Sequence, residues 1–150
     1  MSYEKTVWAG EGTLAREQEY NDHWCYERGI ITKAWLDVYA ATGDRRFYDA
    51  AKANVDQYVT ADGEILTYEP DKYNLDMICM GRTALRLFKA TGEAKYEKAC
   101  RRLIEQIKGQ PTTAEGGFWH KKLYPQQMWL DGIYMACPFL TEFAVTFGEM

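Results

Sequence analysis

The residues from Gly116 to Phe139, GGFWHKKLYPQQMWLDGIYMACPF, combine His120, Trp119, Trp129, Tyr124, Tyr134, Met128 and Met135 with one carboxylate, Asp131. A surface loop has no reason to be this aromatic. A helix that only packs does not keep an aspartate between Leu130 and Gly132. The mixture suits a concave site that stacks on a flat polar ligand and does acid–base work on it. Two other acids share the position of Asp131. Aligned without gaps, Trp24-Cys25-Tyr26-Glu27 falls on Tyr73-Asn74-Leu75-Asp76, and that falls on Met128-Trp129-Leu130-Asp131. Glu27, Asp76 and Asp131 then stand in the first turn of three equivalent helices. If those helices run parallel around one axis, the acids meet at one end of one cavity, lined by Trp24, Tyr26, Tyr73, Trp129 and His120. One such acid alone reads as a capping or dipole-favoured residue. Three in register, each beside aromatics, point to a site. Like-charged neighbours in a partly desolvated cavity would let one carboxyl keep its proton while another is ionised.

The elements that position these acids come from a repeat. Ala41-Thr42-Gly43-Asp44 recurs 49 residues later as Ala90-Thr91-Gly92-Glu93. Each glycine fits the left-handed position that ends a helix, and the acid after it favours the start of the next. Thr146-Phe147-Gly148-Glu149 looks like a third copy of that corner, with one residue inserted. The periodicity predicts helices over 3–19, 23–41, 45–59, 74–90, 94–108 and 128–146. Long linkers, 60–73 and 109–127, precede the later units. Ile65 to Tyr68 could form a short strand after the Asp62-Gly63 turn. The expected fold is all-α: about two and a half helical hairpins, closing as part of a ring or stacking as a solenoid. Trp35, Phe47, Tyr48, Phe88 and Tyr96 fall on helical periods and are expected in the core.

Composition excludes several classes. The chain has 150 residues, 47% hydrophobic, with a formal net charge of −4. One domain fits that length. The profile is neither that of a disordered chain nor that of a nucleic-acid binder held by a basic patch. No apolar run is long enough to span a membrane, and the first residues lack the apolar core of a secretory signal. Cys25, Cys79, Cys100 and Cys137 are widely spaced and expected as reduced, buried thiols of a cytoplasmic protein. His23 and His120 are too few for a three-histidine metal site. Gly10-Glu11-Gly12 lacks the other glycines of a phosphate loop, and no Gly-x-Ser-x-Gly elbow occurs. No metal and no cofactor is expected.

The string GGFWHK…YPxQMWLDGxYMxxPF closely resembles the unsaturated rhamnogalacturonyl hydrolases of glycoside hydrolase family 105. It is similar, more distantly, to the unsaturated glucuronyl hydrolases of family 88. Trp24-x-Tyr26-x-x-Gly29 and Leu75-Asp76 match in order and spacing. The resemblance implies an (α/α)6 barrel of six hairpins, of which residues 1–150 would be the N-terminal part. It implies a substrate with a Δ4,5-unsaturated galacturonyl end, as left by pectin lyases, and release of rhamnose by vinyl-ether hydration. Asp131 would be the general acid/base and Asp76 its partner carboxylate. Tyr26, His120, Met128, Trp129 and Trp24 would shape the sugar pocket. Glu27 comes from the repeat alone. Near Thr112 the family pattern would place an arginine. A partial ring would be inactive or weakly active alone and would expose hairpin faces able to self-associate. Two other readings stay open: a non-catalytic carbohydrate-binding or interaction module, and an unsaturated glucuronyl hydrolase.

Overall fold

The structure, a computed structural model, describes residues 3–17 and 22–149. Among them are six α-helices: α1 (Tyr3–Ala15), α2 (Tyr26–Thr42), α3 (Arg45–Asp56), α4 (Gly81–Thr91), α5 (Ala94–Lys108) and α6 (Leu130–Phe147). The first helix ends at Ala15; its predicted end at residue 19 lies outside the described residues. The other helices follow the expected map with one exception. The stretch 74–90 is divided into a 3₁₀ turn, Leu75–Ile78, and α4 proper. Gly29 of α2 explains the break. A Cβ on Gly29 would stand 2.8 Å from the Met80 nitrogen and 2.9 Å from the Cys79 carbonyl carbon, so α2 lies directly against this backbone. The expected strand at Ile65–Tyr68 is reduced to a single bridge between Val59 and Ile65. Thr67 takes a φ of 63°, which ends the extended run.

The hairpin corners behave as the repeat implies. Gly43, Gly92 and Gly148 have φ of 73°, 70° and 69° and donate their N–H groups to Tyr39, Phe88 and Ala144. A side chain at such a φ costs about 1–2 kcal/mol. Gly92→Ala is therefore expected to lower unfolding stability by about 1–2 kcal/mol in urea titrations, with no steric contribution because nothing lies near its absent Cβ. The acids after the glycines differ. The Asp44 carboxylate caps α3 by accepting from the Arg46 N–H at 3.0 Å, whereas Glu93 makes no side-chain cap. At both corners the threonine before the glycine accepts from the acid's N–H instead.

α2 packs on α3 and α4 on α5, with α4 between α2 and α6. The units stand in register. Asp37 and Arg86, one period apart, form an ion pair of 2.6 Å. Glu142 of α6 accepts from Arg82 at 3.3 Å. Trp35, Phe47, Tyr96, Leu103 and Phe139 fill the core, and Phe88 packs against its edge. One cysteine departs from expectation. Cys79 and Cys100 are buried and Cys25 is half-buried, but Cys137 is exposed. It lies on α6 with the exposed Leu130, Ile133, Tyr134 and Val145, which together form an uncovered apolar face.

Candidate active site

Asp76 is placed by its own turn and by a neighbouring loop. Asn74 Oδ1 accepts from the Asp76 N–H at 3.0 Å. The Leu75 N–H donates to the His120 carbonyl at 3.0 Å, tying the turn to the second linker. Trp24 supports the turn from below. Its indole N–H donates to the Met77 carbonyl at 2.6 Å and its backbone N–H to Thr67 Oγ1 at 2.8 Å. Trp24 is 0% exposed, so it does not line a sugar pocket. It holds the floor under Asp76, because an indole can fill a core and still satisfy its polar end.

The second linker is a compact loop rather than a loose connection. A bridge joins Thr112 to Phe118, and the Trp119 N–H donates to the Pro111 carbonyl. Gln110 clamps both site loops: its Nε2 donates to the Tyr73 and Trp119 carbonyls, each at 2.8 Å. The Lys122 N–H donates to the Lys72 carbonyl, a further tie between these loops. Tyr73 and Gln126 carry positive φ angles, 44° and 61°, immediately before the residues that shape the site. Non-glycine residues hold such angles only where the surroundings impose them.

His120 stands between the two acids. Its Nε2 is 3.3 Å from Asp76 Oδ1, and its Nδ1 is 3.9 Å from Asp131 Oδ1. Lys121 Nζ sits 2.7 Å from the other Asp76 oxygen. His120 is 1% exposed, while the Asp131 side chain is 55% exposed and faces the open side. Trp129 stacks on the imidazole at 4.4 Å with an interplanar angle of 8°, and Tyr124 stacks on Trp129 at 5.0 Å. Gln127 secures this stack, accepting from the His120 N–H and from the Trp129 indole. His120 is thus more than a backbone-bonded core histidine: its ring plane is fixed and its two nitrogens face two carboxylates.

Desolvation of the ring lowers the His120 pKa below its ordinary 6.5, outweighing the two carboxylates, which pull it up; Lys121 adds to the lowering. The folded state then binds fewer protons than the unfolded state just below pH 6.5. The stability present above that pH is lost as pH falls toward the folded value, by at most about 1.4 kcal/mol per unit. Unfolding free energies measured from pH 7.5 to 5 should show this slope in the wild type, and a flatter one in His120→Gln.

The remaining predicted residues divide. Tyr26 and Glu27 open α2, and the Tyr26 hydroxyl is pushed above its ordinary pKa first by Glu27, then by burial and Asp76. Tyr26 therefore lies on the Asp76 side of the site. Glu27 accepts from the Cys25 thiol at 3.1 Å and is not part of the compact Asp76, His120, Asp131 cluster. The three acids in register give one coupled pair and one outlier. Met128 and Trp129 are partly exposed and border a cavity of about 210 Å³, with Phe118 and Ile133 opposite. A groove of about 490 Å³ lies beside Lys121, lined also by Lys72 and Lys122. Lys121, Tyr124, Gln127 and Gln110 were not among the expected site residues. Lys121 could have been found from its place beside His120. The Gln110 clamp leaves no signal in the sequence, because it acts on backbone carbonyls.

Asp76, His120 and Asp131 each bring one donor atom within 4.8 Å of the others, a spacing a metal ion could use. Two features argue against a metal cage. The two imidazole nitrogens face different carboxylates, and Lys121 already supplies Asp76 with a cation. The donor set fits proton transfer better.

Helical hairpins in register thus carry an acid–imidazole–acid cluster beside stacked aromatic rings, with Asp76 in the 3₁₀ turn before α4 and Asp131 in the first turn of α6. The family model of Glycosyl Hydrolase Family 88 matches residues 5–150, and the chain belongs to that family. Among solved structures it is similar to a family 105 glycoside hydrolase of C. acetobutylicum ATCC 824, with 37% identity and a TM-score of 0.89 over 99% of this chain. The chain covers 41% of the length of that relative.

Proposed function

We propose that the chain forms the acid–base wall of a hydrolase that removes Δ4,5-unsaturated galacturonyl residues from rhamnogalacturonan oligosaccharides, in pectin degradation. The observation that carries this reading is the exposed Asp131 beside a buried His120 and a lysine-paired Asp76. Asp131 in its acid form gives a proton to C4 of the double bond. Water adds at C5 and returns a proton to Asp131. The resulting hemiketal collapses and releases the neighbouring rhamnose. The stacked Trp129 and Tyr124 present an aromatic edge to the sugar rings, Met128 lies beside Trp129, Tyr26 stands on the Asp76 side, and Lys121, Lys72 and Lys122 suit an acidic substrate. Glu27, the acid that the repeat adds, stands beside Tyr26 and outside the cluster.

The family 88 match also favours an unsaturated glucuronyl substrate. Loss of the ultraviolet absorbance of the double bond tests both, with galacturonyl-rhamnose and glucuronyl disaccharides supplied in parallel. The assay uses the chain alone and the chain mixed with the complementary hairpins of a longer family member. Binding without loss of absorbance in either mixture would favour the non-catalytic module instead. The exposed α6 stripe, with Leu130 at 85% and Val145 at 78%, is the surface through which the chain would self-associate. Among the described residues no helix is long and apolar enough to cross a membrane; a cytoplasmic location remains part of the proposal.

A further inference from the structure

We propose that His120 is a positioning residue that acts through Asp131: fixed as the Nε2–H tautomer by Asp76, it offers a bare Nδ1 on which Asp131 rests its proton between turnovers. This rests on the reading of Asp131 as the proton donor. The argument begins at Asp76. Lys121 occupies one of its oxygens at 2.7 Å, and His120 Nε2 approaches the other at 3.3 Å. A carboxylate so paired can only accept, so the nitrogen facing it carries the hydrogen. In a neutral imidazole the second nitrogen is then a lone pair. Nδ1 is buried and has no hydrogen-bond partner, which leaves an acceptor unsatisfied unless something donates to it.

The donor within reach is Asp131. Its Oδ1 is 3.9 Å from Nδ1, about 1 Å beyond hydrogen-bond length. Asp131 is in the first turn of α6 and half-exposed, so a small side-chain rotation closes the gap. Gly132 keeps the path clear, since a Cβ there would stand 3.0 Å from Nδ1. The stacked Trp129 prevents the ring from turning away. A lone pair at Nδ1 accepts a hydrogen bond from a carboxyl O–H, so the imidazole orients the acid form of Asp131 that the reaction requires. When substrate arrives, the O–H leaves Nδ1 and its proton forms the new C4–H bond. Water supplies the oxygen at C5 and its proton restores the Asp131 O–H, so the cycle balances without an added reactant.

The charged groups facing His120 are Asp76, Lys121 and Asp131. The test is long-range ¹⁵N–¹H spectroscopy of the ¹⁵N-histidine-labelled 150-residue chain. Only His23 and His120 contribute, and His23→Gln assigns them. At pH 7 His120 is expected in the Nε2–H form. Its Nδ1 resonance should shift as Asp131 titrates, and that inflection should disappear in Asp131→Asn. Asp76→Asn should release the tautomer into a mixture. An Nδ1–H tautomer, or an imidazolium at pH 7, in the wild type would overturn the proposal whether or not either variant folds. So would an Nδ1 inflection that survives Asp131→Asn. None of these readings depends on turnover, so a chain without hydrolase activity can still confirm or refute the role of His120.

Discussion

Asp131→Asn should reduce turnover of an unsaturated galacturonyl disaccharide by about 10²–10⁴-fold, the usual contribution of a positioned general acid, while KM changes little. The side chain sits half-exposed at the open edge of the cluster, where it can reach a ligand, and an asparagine amide can still face His120 Nδ1. Asparagine preserves size and leaves the helix start intact but cannot deliver a proton. The effect should therefore appear in kcat rather than in binding or stability. Absorbance loss in the completed hairpin mixture gives the rate, and urea unfolding of the chain verifies that the variant is folded. Retention of wild-type kcat would remove Asp131 from the mechanism. Asp76→Asn should behave differently. It removes the ionic partner of Lys121 and the charged carboxylate facing His120, so loss of rate should be accompanied by lower stability.

The second large effect is structural. Trp24→Ala is expected to lower the unfolding free energy by about 3–5 kcal/mol, as for other fully buried aromatic truncations. The indole is wholly enclosed, packs edge-on against Tyr58 at 6.3 Å, and holds the Met77 carbonyl. Trp24→Phe would retain most of the volume and leave that carbonyl without its donor, at a cost of about 1–3 kcal/mol. Because Met77 directly follows Asp76, the phenylalanine variant should also loosen the contact between Asp76 and His120. In labelled-histidine spectra that would appear as broadening of His120 but not of His23. A loss below about 1 kcal/mol for Trp24→Ala would mean that the turn is held from elsewhere.

The helices were legible because their signals are local. Apolar spacing, an alanine-threonine-glycine corner and an acid after it placed five of the six helices closely, and the left-handed glycines lie at those corners. The division of residues 74–90 was not legible, because it results from the close approach of Gly29, more than 40 residues away. Trp24 was misread for a related reason. Its place beside an acid suggested a ligand face, but the inward rotation that buries it depends on Thr67 and Met77. Cys137 was expected to be buried because periodicity reports that a face is apolar and not what covers it. The Asp76–Asp131 pair was visible in the repeat. His120 was legible as a residue of the same cavity, but its place between the two acids, and Lys121 on the far oxygen of Asp76, were not.

The two intervals between the aligned acids are unequal. Glu27 and Asp76 are 49 residues apart, Asp76 and Asp131 55 apart, and the excess is divided between α5, with 15 residues against 12 in α3, and the linker that carries His120. Symmetry thus furnishes the carboxylates and a local breach of symmetry furnishes the imidazole. Two copies of the same unit, however well packed, would face each other with like charges and no mediator. Substrate choice and proton handling could then drift by edits to one linker, while the hairpins that bear the load of folding stay untouched. Grafting residues 109–129 onto another pair of such hairpins would show whether this inheritance is portable.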